Sequence, residues 1–172
     1  MASEPRGKLD AETANGPEGL PIPEQGRPDL DESSEWGRID WSEQEKQVRR
    51  LRQRIFKAVQ EGDLAKARNL QKLMLRSQAN TLVSVRQVTQ RNAGRRTAGV
   101  DGEVALTHQA RMRMAKRVHR SRQDWRPRPV RRVHIPKASN PARMRPLGIP
   151  VLMDRCHQAR VRNALEPEWE AR

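Results

Sequence analysis

The sequence predicts a mostly α-helical α+β protein, in which helices precede one short β-hairpin. Apolar residues recur at helical spacing from residue 48 to about residue 88, as in amphipathic helices that bury one face. Apolar and charged residues alternate, as in a strand, only within about residues 130–149. Hydrophobic residues make up 34% of the chain and charged residues 33%, which is enough for a modest core.

Residues 1–35 are predicted to form a disordered acidic leader. They hold five of the twelve prolines and four of the ten glycines, and few large apolar side chains. Nine acidic and three basic residues give the leader a net charge of −6, so with a total of +14 residues 36–172 carry +20. The leader is either a solvating tail or a segment that shields the basic remainder before a nucleic acid binds.

A helical domain is predicted over residues 36–122, and it begins as an antiparallel helical hairpin. Ser42 and Glu45 have the spacing of a capping box at the start of the first helix. Gly62 ends that helix and Asp63 caps the next, which extends to about Asn92 with a break near residues 77–80. The inward positions of the pair are Val48, Leu51, Ile55, Val59, Leu64, Ala67, Leu70, Met74, Val85 and Val88.

A glycine-punctuated loop, NAGRRTAGVDG, follows at residues 92–102. Its amides beside Arg95 and Arg96 could hold a phosphate, although turn chemistry alone explains the glycines equally well. The loop lacks the GK[ST] ending of a nucleotide-binding P-loop. Thr107 then caps a third helix, whose inward positions are Ala110, Met114 and Val118.

The densest basic run lies between Arg111 and Arg132, where ten of 22 residues are Arg or Lys and one, Asp124, is acidic. Because charges of one sign repel each other without a counter-charge, the run favours contact with a nucleic-acid backbone over a solvated helix face. The predicted RNA contacts are Arg95, Arg96, Arg111, Arg113, Lys116, Arg117, Arg126, Arg128, Arg131, Arg132 and Arg143.

Residues 123–172 are predicted to contain a β-hairpin at 130–149 and a helix at 153–165. Val133 and Ile135 alternate with Arg132 and His134 in the first strand, residues 138–141 form the turn, and residues 145–149 return. Prolines at positions 136 and 146 cannot donate ladder hydrogen bonds, so they belong to strand ends, edges or bulges.

Several classes of function have no residues to support them. The lone Cys156 excludes a disulfide within the chain, and the absence of a signal peptide or a long apolar run predicts an intracellular, cytoplasmic protein without a membrane span. Cys156 and His157 are adjacent, which favours a structural role over thiol catalysis. Glu166 and Glu170 are four residues apart, but Pro167 argues against a rigid helical pair for metal ions. We therefore expect no metal site, cofactor or catalytic residue.

Long strings of the chain resemble the N-terminal part of group II intron reverse transcriptases, or maturases. They are TLVSVRQVTQRNAGRRTAGVDG, RPRPVRRVHIPK and RPLGIPVLMDRCHQARVRNALEPEWE, and the segment WGRIDWSEQEKQVRRLRQRIFKAVQEGDLAKARNLQKLMLRS resembles the N-terminal extension of that family. The resemblance covers about residues 36–170. It implies the start of the fingers of a right-hand polymerase, with intron or template RNA, or DNA, as partner.

The same resemblance assigns individual roles. Lys137 and Arg145 are the implied triphosphate contacts, and Asp154, Arg155 and Gln158 match the DR-x-x-Q that opens a fingers helix. The catalytic aspartates of the family, which include a YADD-like pair, would lie beyond LEPEWE, and the sequence has no Tyr. The resemblance therefore implies a fragment without a palm, and Mg²⁺ is expected only in a full-length polymerase. A stand-alone RNA-binding or splicing-assisting protein, or half of a split enzyme whose palm and thumb lie on another chain, are the alternatives.

Overall fold

A computed structural model of the protein describes residues 35–172, so the predicted leader lies outside the described residues except for Glu35. Within that range the fold is mostly α with one antiparallel hairpin, as predicted. No helix in residues 35–172 has the length and apolar character needed to cross a bilayer. The elements are α1 Trp41–Gln60, α2 Leu64–Arg76, α3 Gln78–Arg86, α4 His108–Arg120, β1 Arg131–Lys137, β2 Asn140–Ile149 and α5 Leu152–Glu170. A π-helical turn, Gln87–Arg91, continues α3 to near the predicted end of that helix at Asn92, and a 3-10 turn, Ala93–Arg96, follows it.

The predicted capping box at the start of α1 is wrong. Asp40 is the N-cap, and its Oδ1 accepts the Glu43 amide at 3.1 Å. A carboxylate at this position satisfies an orphan amide and also faces the positive end of the helix dipole. Glu45 instead accepts hydrogen bonds from Arg86 (2.9 Å) and Arg91 (2.6 Å), so it ties α1 to the end of α3.

The turn between α1 and α2 follows the sequence signals. Gly62 has φ of +73°, a conformation that suits glycine, and the Asp63 carboxylate accepts the Lys66 amide at 2.9 Å. Ser77, with ψ of 129°, separates α2 from α3 at the predicted break and caps α3 through its hydroxyl. Leu64 is 42% exposed although its spacing predicted an inward position, since it begins α2 outside the packed face.

The break at Ser77 is stabilised from inside by Asn80, which is fully buried. Its Nδ2 donates to the carbonyls of Met74 (3.0 Å) and Arg160 (3.2 Å), and its Oδ1 accepts from Asn163 at 2.8 Å. These bonds satisfy polar groups that would be costly to bury alone, and they join α2, α3 and α5.

Two hydrophobic clusters form the core, and α5 contributes to both. Leu152 and Cys156 pack into the cluster of Trp36, α3 and α4, whereas Ala164 packs into the cluster between α1 and α2. The helix continues through Pro167 to Glu170, beyond the predicted end at residue 165. Contacts with α1 and α2 hold this extra turn, which offsets the hydrogen bond that proline cannot make. These contacts are Arg52–Glu166 (2.7 Å), Arg52–Glu170 (3.3 Å) and Gln71–Glu168 (2.8 Å).

The hairpin extends from this helical body, and its two strands pack mainly against each other. Strand β2 begins at Asn140, earlier than predicted, because the turn comprises only residues 138–139. The register shifts between Pro136 and Lys137, so the extra residues of β2 are accommodated as an irregularity. Pro136 lies at this shift. Pro136 and Pro146 both belong to a two-stranded sheet, in which each strand is an edge strand, as the sequence predicted for these prolines.

Candidate nucleic-acid interface

The start of α5 positions the segment that leads into the hairpin. Asp154 is buried, and its carboxylate accepts hydrogen bonds from Trp125 Nε1 and from the Arg128 amide, both at 2.8 Å. The Trp125 ring also stacks on His157, with 4.8 Å between the ring centroids. The segment that leads into the hairpin is therefore held against α5, whereas the hairpin itself does not pack on the helices.

Arg155 holds the glycine-punctuated loop against the same helix. Its guanidinium donates to the carbonyls of Gly94 (3.0 Å) and Thr97 (2.7 Å). Within the loop, the Arg95 amide donates to Asn92 and the Thr97 amide to Gly94. Because these two amides are already bonded, the loop would meet a phosphate mainly through its arginine side chains.

The half-buried Arg95 and Arg111 form a like-charged pair. Burial lowers the pKa of Arg111 from its ordinary value, and the charge of Arg95 lowers that pKa further. The Arg111 Nε atom is buried without a hydrogen-bond partner. No carboxylate within residues 35–172 pairs with either side chain, so an anion between them would relieve an unfavourable interaction.

The other predicted contacts on α4 already have partners. Lys116 Nζ lies 3.0 Å from a Glu35 carboxylate oxygen, and Arg117 pairs with Glu103. Arg113 donates to Gln109, one turn earlier, at 3.2 Å. Carboxylates partly neutralise Lys116 and Arg117, so these two cations contribute less to the surface potential than the sequence suggests.

Most of the predicted cations that lack a partner among the described residues lie in the hairpin and its approach, and the exposed Arg96 adds one in the glycine-punctuated loop. Residues 125–153 include seven Arg or Lys and no acidic residue. Arg128 is 3.8 Å from Asp101, a loose contact. The remaining six are exposed, and their side chains have no hydrogen-bond or ion-pair partner within residues 35–172: Arg126, Arg131, Arg132, Lys137, Arg143 and Arg145.

The strand pairing places these charges on both faces of the ribbon. Arg145 lies opposite Ile135 and therefore shares the face of Val133 and Ile135, whereas Arg132 points to the other face. Lys137, beside the turn, pairs with Asn140. The hairpin is thus a cationic ribbon accessible from two sides, which suits phosphates that pass along it.

The side chains that the sequence offered for thiol catalysis or metal binding are buried or already paired in the structure. Burial raises the pKa of the Cys156 thiol to about 12, so the thiolate is disfavoured. Burial, with the nearby Arg160 charge, lowers the pKa of His157 to about 4. Glu166 and Glu170 both pair with Arg52, and residues 35–172 contain no group of three His, Cys, Asp or Glu side chains that could hold a metal ion.

Sequence reasoning missed Arg160, which is only 3% exposed despite its charge. It donates to His157 Nδ1 at 3.0 Å and to the carbonyl of Leu75, so it links α5 to the end of α2. The signal was present, because Cys156, Arg160 and Ala164 are spaced four residues apart on the inward face of one helix.

Comparison with known proteins extends over most of the described residues. Residues 36–118 match the N-terminal domain of reverse transcriptase. Protein YkfC of Escherichia coli (strain K12) is 37% identical over 102 residues, which cover 58% of this chain and 26% of YkfC. Maturase-like protein 1 of Euglena gracilis is 26% identical over 131 residues, which cover 76% of this chain and 28% of that protein. The chain therefore spans about a quarter of the length of these relatives.

Proposed function

We propose that the chain is an RNA-binding N-terminal segment of a group II intron reverse transcriptase, or maturase, because residues 36–118 match the N-terminal domain of reverse transcriptase. Its ligand is intron or template RNA, held through the phosphate backbone. The observation that carries this proposal is the hairpin, whose exposed cations have no counter-charge among the described residues.

The chemistry of the hairpin supports phosphate contact. Arginine offers a planar fork of donors that matches two phosphate oxygens, and lysine offers a compact point charge. Repulsion among the hairpin cations is relieved when a polyanion replaces the small counterions around them. We therefore expect the affinity for RNA to fall steeply as salt increases.

Lys137 and Arg145 have the exposure that a triphosphate contact requires, and we assign them that role only where a palm completes the active site. Nucleotidyl transfer needs carboxylates that place two Mg²⁺ ions. The late acidic residues of this chain bind Arg52 and Gln71 instead, so we expect no primer extension by the chain alone.

The test is a titration of a labelled single-stranded RNA with the whole chain at several salt concentrations. Replacing Arg131, Arg132, Lys137 and Arg145 by Ala should weaken binding and make the slope of log affinity against log salt shallower, by about 0.7 for each phosphate that the variant no longer neutralises. The matched control removes four exposed cations from α1, as K46A/R49A/R50A/R54A. Equal decreases in affinity in the two variants would mean that net charge, rather than the hairpin, binds the RNA.

A second candidate, one half of a split reverse transcriptase, is favoured by the outer face of α5. Val161 is 37% exposed and Trp169 is 72% exposed. Together with Trp125 and Leu165 they line an apolar cleft of about 510 Å³, which a second chain could cover. Mixing the chain with a separately expressed palm and thumb segment should then restore primer extension with Mg²⁺, and Trp169→Asp should abolish it. If no extension appears with the unaltered chain, this candidate is wrong.

A further inference from the structure

A groove of about 650 Å³ lies between α3, α4 and the segment that precedes α1. This volume falls within the range of about 300–1,000 Å³ that is typical of small-molecule sites. The apolar part of its lining comes from Ile39, Leu82, Met112 and Ala115. Leu82, Met112 and Ala115 also belong to the core, so the packing of α3 on α4 fixes the floor of the groove.

Uncharged polar groups also line the groove. Thr81 Oγ1 lies 3.2 Å from His119 Nδ1, so Nε2 is the ring nitrogen without a partner within residues 35–172. Burial lowers the pKa of His119, and the charges of Arg122 and Arg160 lower it further, which favours the neutral ring. The exposed side chain of Gln78 adds an amide that both donates and accepts hydrogen bonds.

Two guanidinium groups that line the groove have no counter-charge. Arg38 and Arg120 are exposed, and their side chains have no hydrogen-bond or ion-pair partner in the part of the chain that the structure describes. Lys116 lines the groove as well, but it pairs with Glu35 at 3.0 Å, so its charge is already compensated. Each of the two guanidinium groups presents a planar fork that matches two phosphate oxygens.

A nucleotide combines the three features that this groove would match. The faces of a nucleobase are apolar, its edge carries hydrogen-bond donors and acceptors, and its phosphate is an anion. Enzymes that take a base out of the helical stack hold it between aromatic or apolar side chains and bind its edge through hydrogen bonds. The Met112 thioether adds a favourable contact of sulfur with an aromatic ring.

Other ligands leave part of the groove unmatched. The backbone of a base-paired duplex would meet Arg38 and Arg120 but would leave the apolar floor uncovered. A fatty-acid chain or an apolar peptide side chain would cover the floor. It would also remove water from Gln78 and His119 without offering them a partner, which is unfavourable.

The groove lies close to the cations of the hairpin and its approach. Arg120 is the last residue of α4, and Arg126, the first of the six exposed cations, follows six residues later. Six residues span at most about 21 Å. A single RNA strand can therefore contact Arg126 and also place one nucleotide in the groove.

We propose that this groove binds one unpaired nucleotide of the RNA. The base lies against Met112, and its edge contacts Gln78 and His119. The phosphate lies at Arg38 and Arg120. The groove then distinguishes single-stranded from base-paired RNA, which phosphate contacts at the hairpin do not do. The nucleotide site does not depend on the proposed function, whereas its assignment to RNA rests on it.

The base site is tested with adenosine monophosphate and ribose 5-phosphate, followed by the NMR signals of the methionine methyl groups in the whole chain. The ring current of the base should shift the Met112 signal with adenosine monophosphate and leave it nearly unchanged with ribose 5-phosphate. Met114 is the internal control, because it is buried in the core and does not line the groove. Equal Met112 shifts with the two ligands, or equal shifts of Met112 and Met114, would overturn the base site.

Gln78→Ala tests the contact with the base edge. It should weaken the binding of adenosine monophosphate by about fivefold, because one hydrogen bond is lost. Gln53→Ala is the matched control, since Gln53 is an exposed glutamine of α1 that does not line the groove. Equal affinities of the two variants would contradict the contact at Gln78.

The contact with the phosphate is tested by R38A/R120A, which should weaken the binding of adenosine monophosphate by about fivefold, as for two exposed ion pairs. R50A/R54A removes two exposed arginines from α1 instead and should have a smaller effect. Equal effects would mean that net charge, rather than this pair, attracts the phosphate.

The assignment to RNA is tested with a single-stranded oligoadenylate and with an RNA duplex of the same length. The single strand should shift the Met112 signal, and the duplex should not. A shift with adenosine monophosphate but not with oligoadenylate would assign the groove to a free nucleotide and overturn its assignment to RNA. Equal shifts with the two RNAs would overturn the preference for an unpaired nucleotide.

The failure of the hairpin proposal can be told apart from the failure of the groove. R131A/R132A/K137A/R145A leaves the groove unchanged, so adenosine monophosphate should shift its Met112 signal as in the parent chain. If this variant also binds oligoadenylate with the affinity of the parent chain, the groove is supported and the proposed role of the hairpin is contradicted.

Discussion

His157 is the buried titratable side chain whose surroundings are most fully defined. The Arg160 guanidinium can only donate, so His157 Nδ1 accepts its hydrogen bond and Nε2 carries the hydrogen that faces Ser121 Oγ at 3.2 Å. A proton on Nδ1 would remove this acceptor and place a second positive charge beside Arg160. The neutral ring is thus the form that the fold selects, which agrees with the lowered pKa.

This selection predicts a loss of stability in acid. The unfolded chain binds a proton at His157 near the ordinary pKa of 6.5, whereas the folded chain binds it only near 4. Between these values the unfolded state holds more protons, so the free energy of unfolding falls as the pH is lowered from 6.5 to 4, by up to about 3 kcal/mol. Urea unfolding at several pH values measures this slope.

His157→Gln is the control for this prediction, because glutamine cannot be protonated. The free energy of unfolding of the variant should depend less steeply on pH between 4 and 6.5. The dependence that remains should come from the carboxylates and from His119, because burial also lowers the pKa of His119. A slope as steep as that of the parent chain would contradict the role assigned to His157.

At the scale of elements, the glycine-punctuated loop and α5 make one close contact. A Cβ atom on Gly99 would lie 2.6 Å from Val151 Cα and 2.8 Å from Val151 N, which is too close for either backbone to stay in place. The loop and the start of α5 therefore depend on a position without a side chain. Arg155 fixes the other end of the loop.

Gly99→Ala should lower the free energy of unfolding by about 1–3 kcal/mol, since overlap in a packed site forces a backbone shift. Gly94→Ala is the matched control in the same loop, because its Cβ would lie 3.9 Å from Arg155 Nη1, an ordinary van der Waals distance. Denaturant unfolding followed by circular dichroism compares the two. Similar decreases in stability would show that the loop tolerates no side chain at either position, and the close approach at Gly99 would then not explain the effect.

Local signals predicted most of these elements and missed features that depend on distant residues. Gly62, Asp63, Ser77 and Thr107 act where the sequence placed them, because each turn or cap is decided within three or four residues. Asp40 displaced Ser42 as the first cap, a competition between two local candidates. The last turn of α5 was not predicted, because it is stabilised by a distant residue: Arg52, which binds Glu166, is 114 residues away in the sequence.

At the scale of the whole molecule, the hairpin and the helical body are separable in their packing. The core lies among the helices and Trp36, and the hairpin residues whose burial the structure describes are exposed or half-buried. Binding and stability should therefore separate as well. In the proposed function the charged ribbon binds the RNA, whereas the helices hold the fold.

Replacing residues 131–149 by a short Gly-Asn-Gly turn tests this separation. The paired residues Arg131 and Ile149 bring the two ends together, so a short turn can close the gap. The free energy of unfolding should change by less than about 1 kcal/mol, as for a surface change, while the affinity for RNA falls. Circular dichroism and RNA titration measure the two effects, and a loss of helical structure would show that the hairpin supports the core.

The sequence by itself determined the helical class, the positions of the helices and the hairpin, the excess of positive charge and the resemblance to reverse transcriptases. These features follow from periodicity and turn chemistry, which depend on residues close together in the sequence, and from composition, which is a sum over the whole chain. Only the tertiary structure decided which cations are free. Arg117 and Arg131 are alike in sequence, but Glu103 folds back onto the first and no described carboxylate reaches the second. Charge pairing depends on which distant segments the core brings together, and a linear pattern does not carry that information.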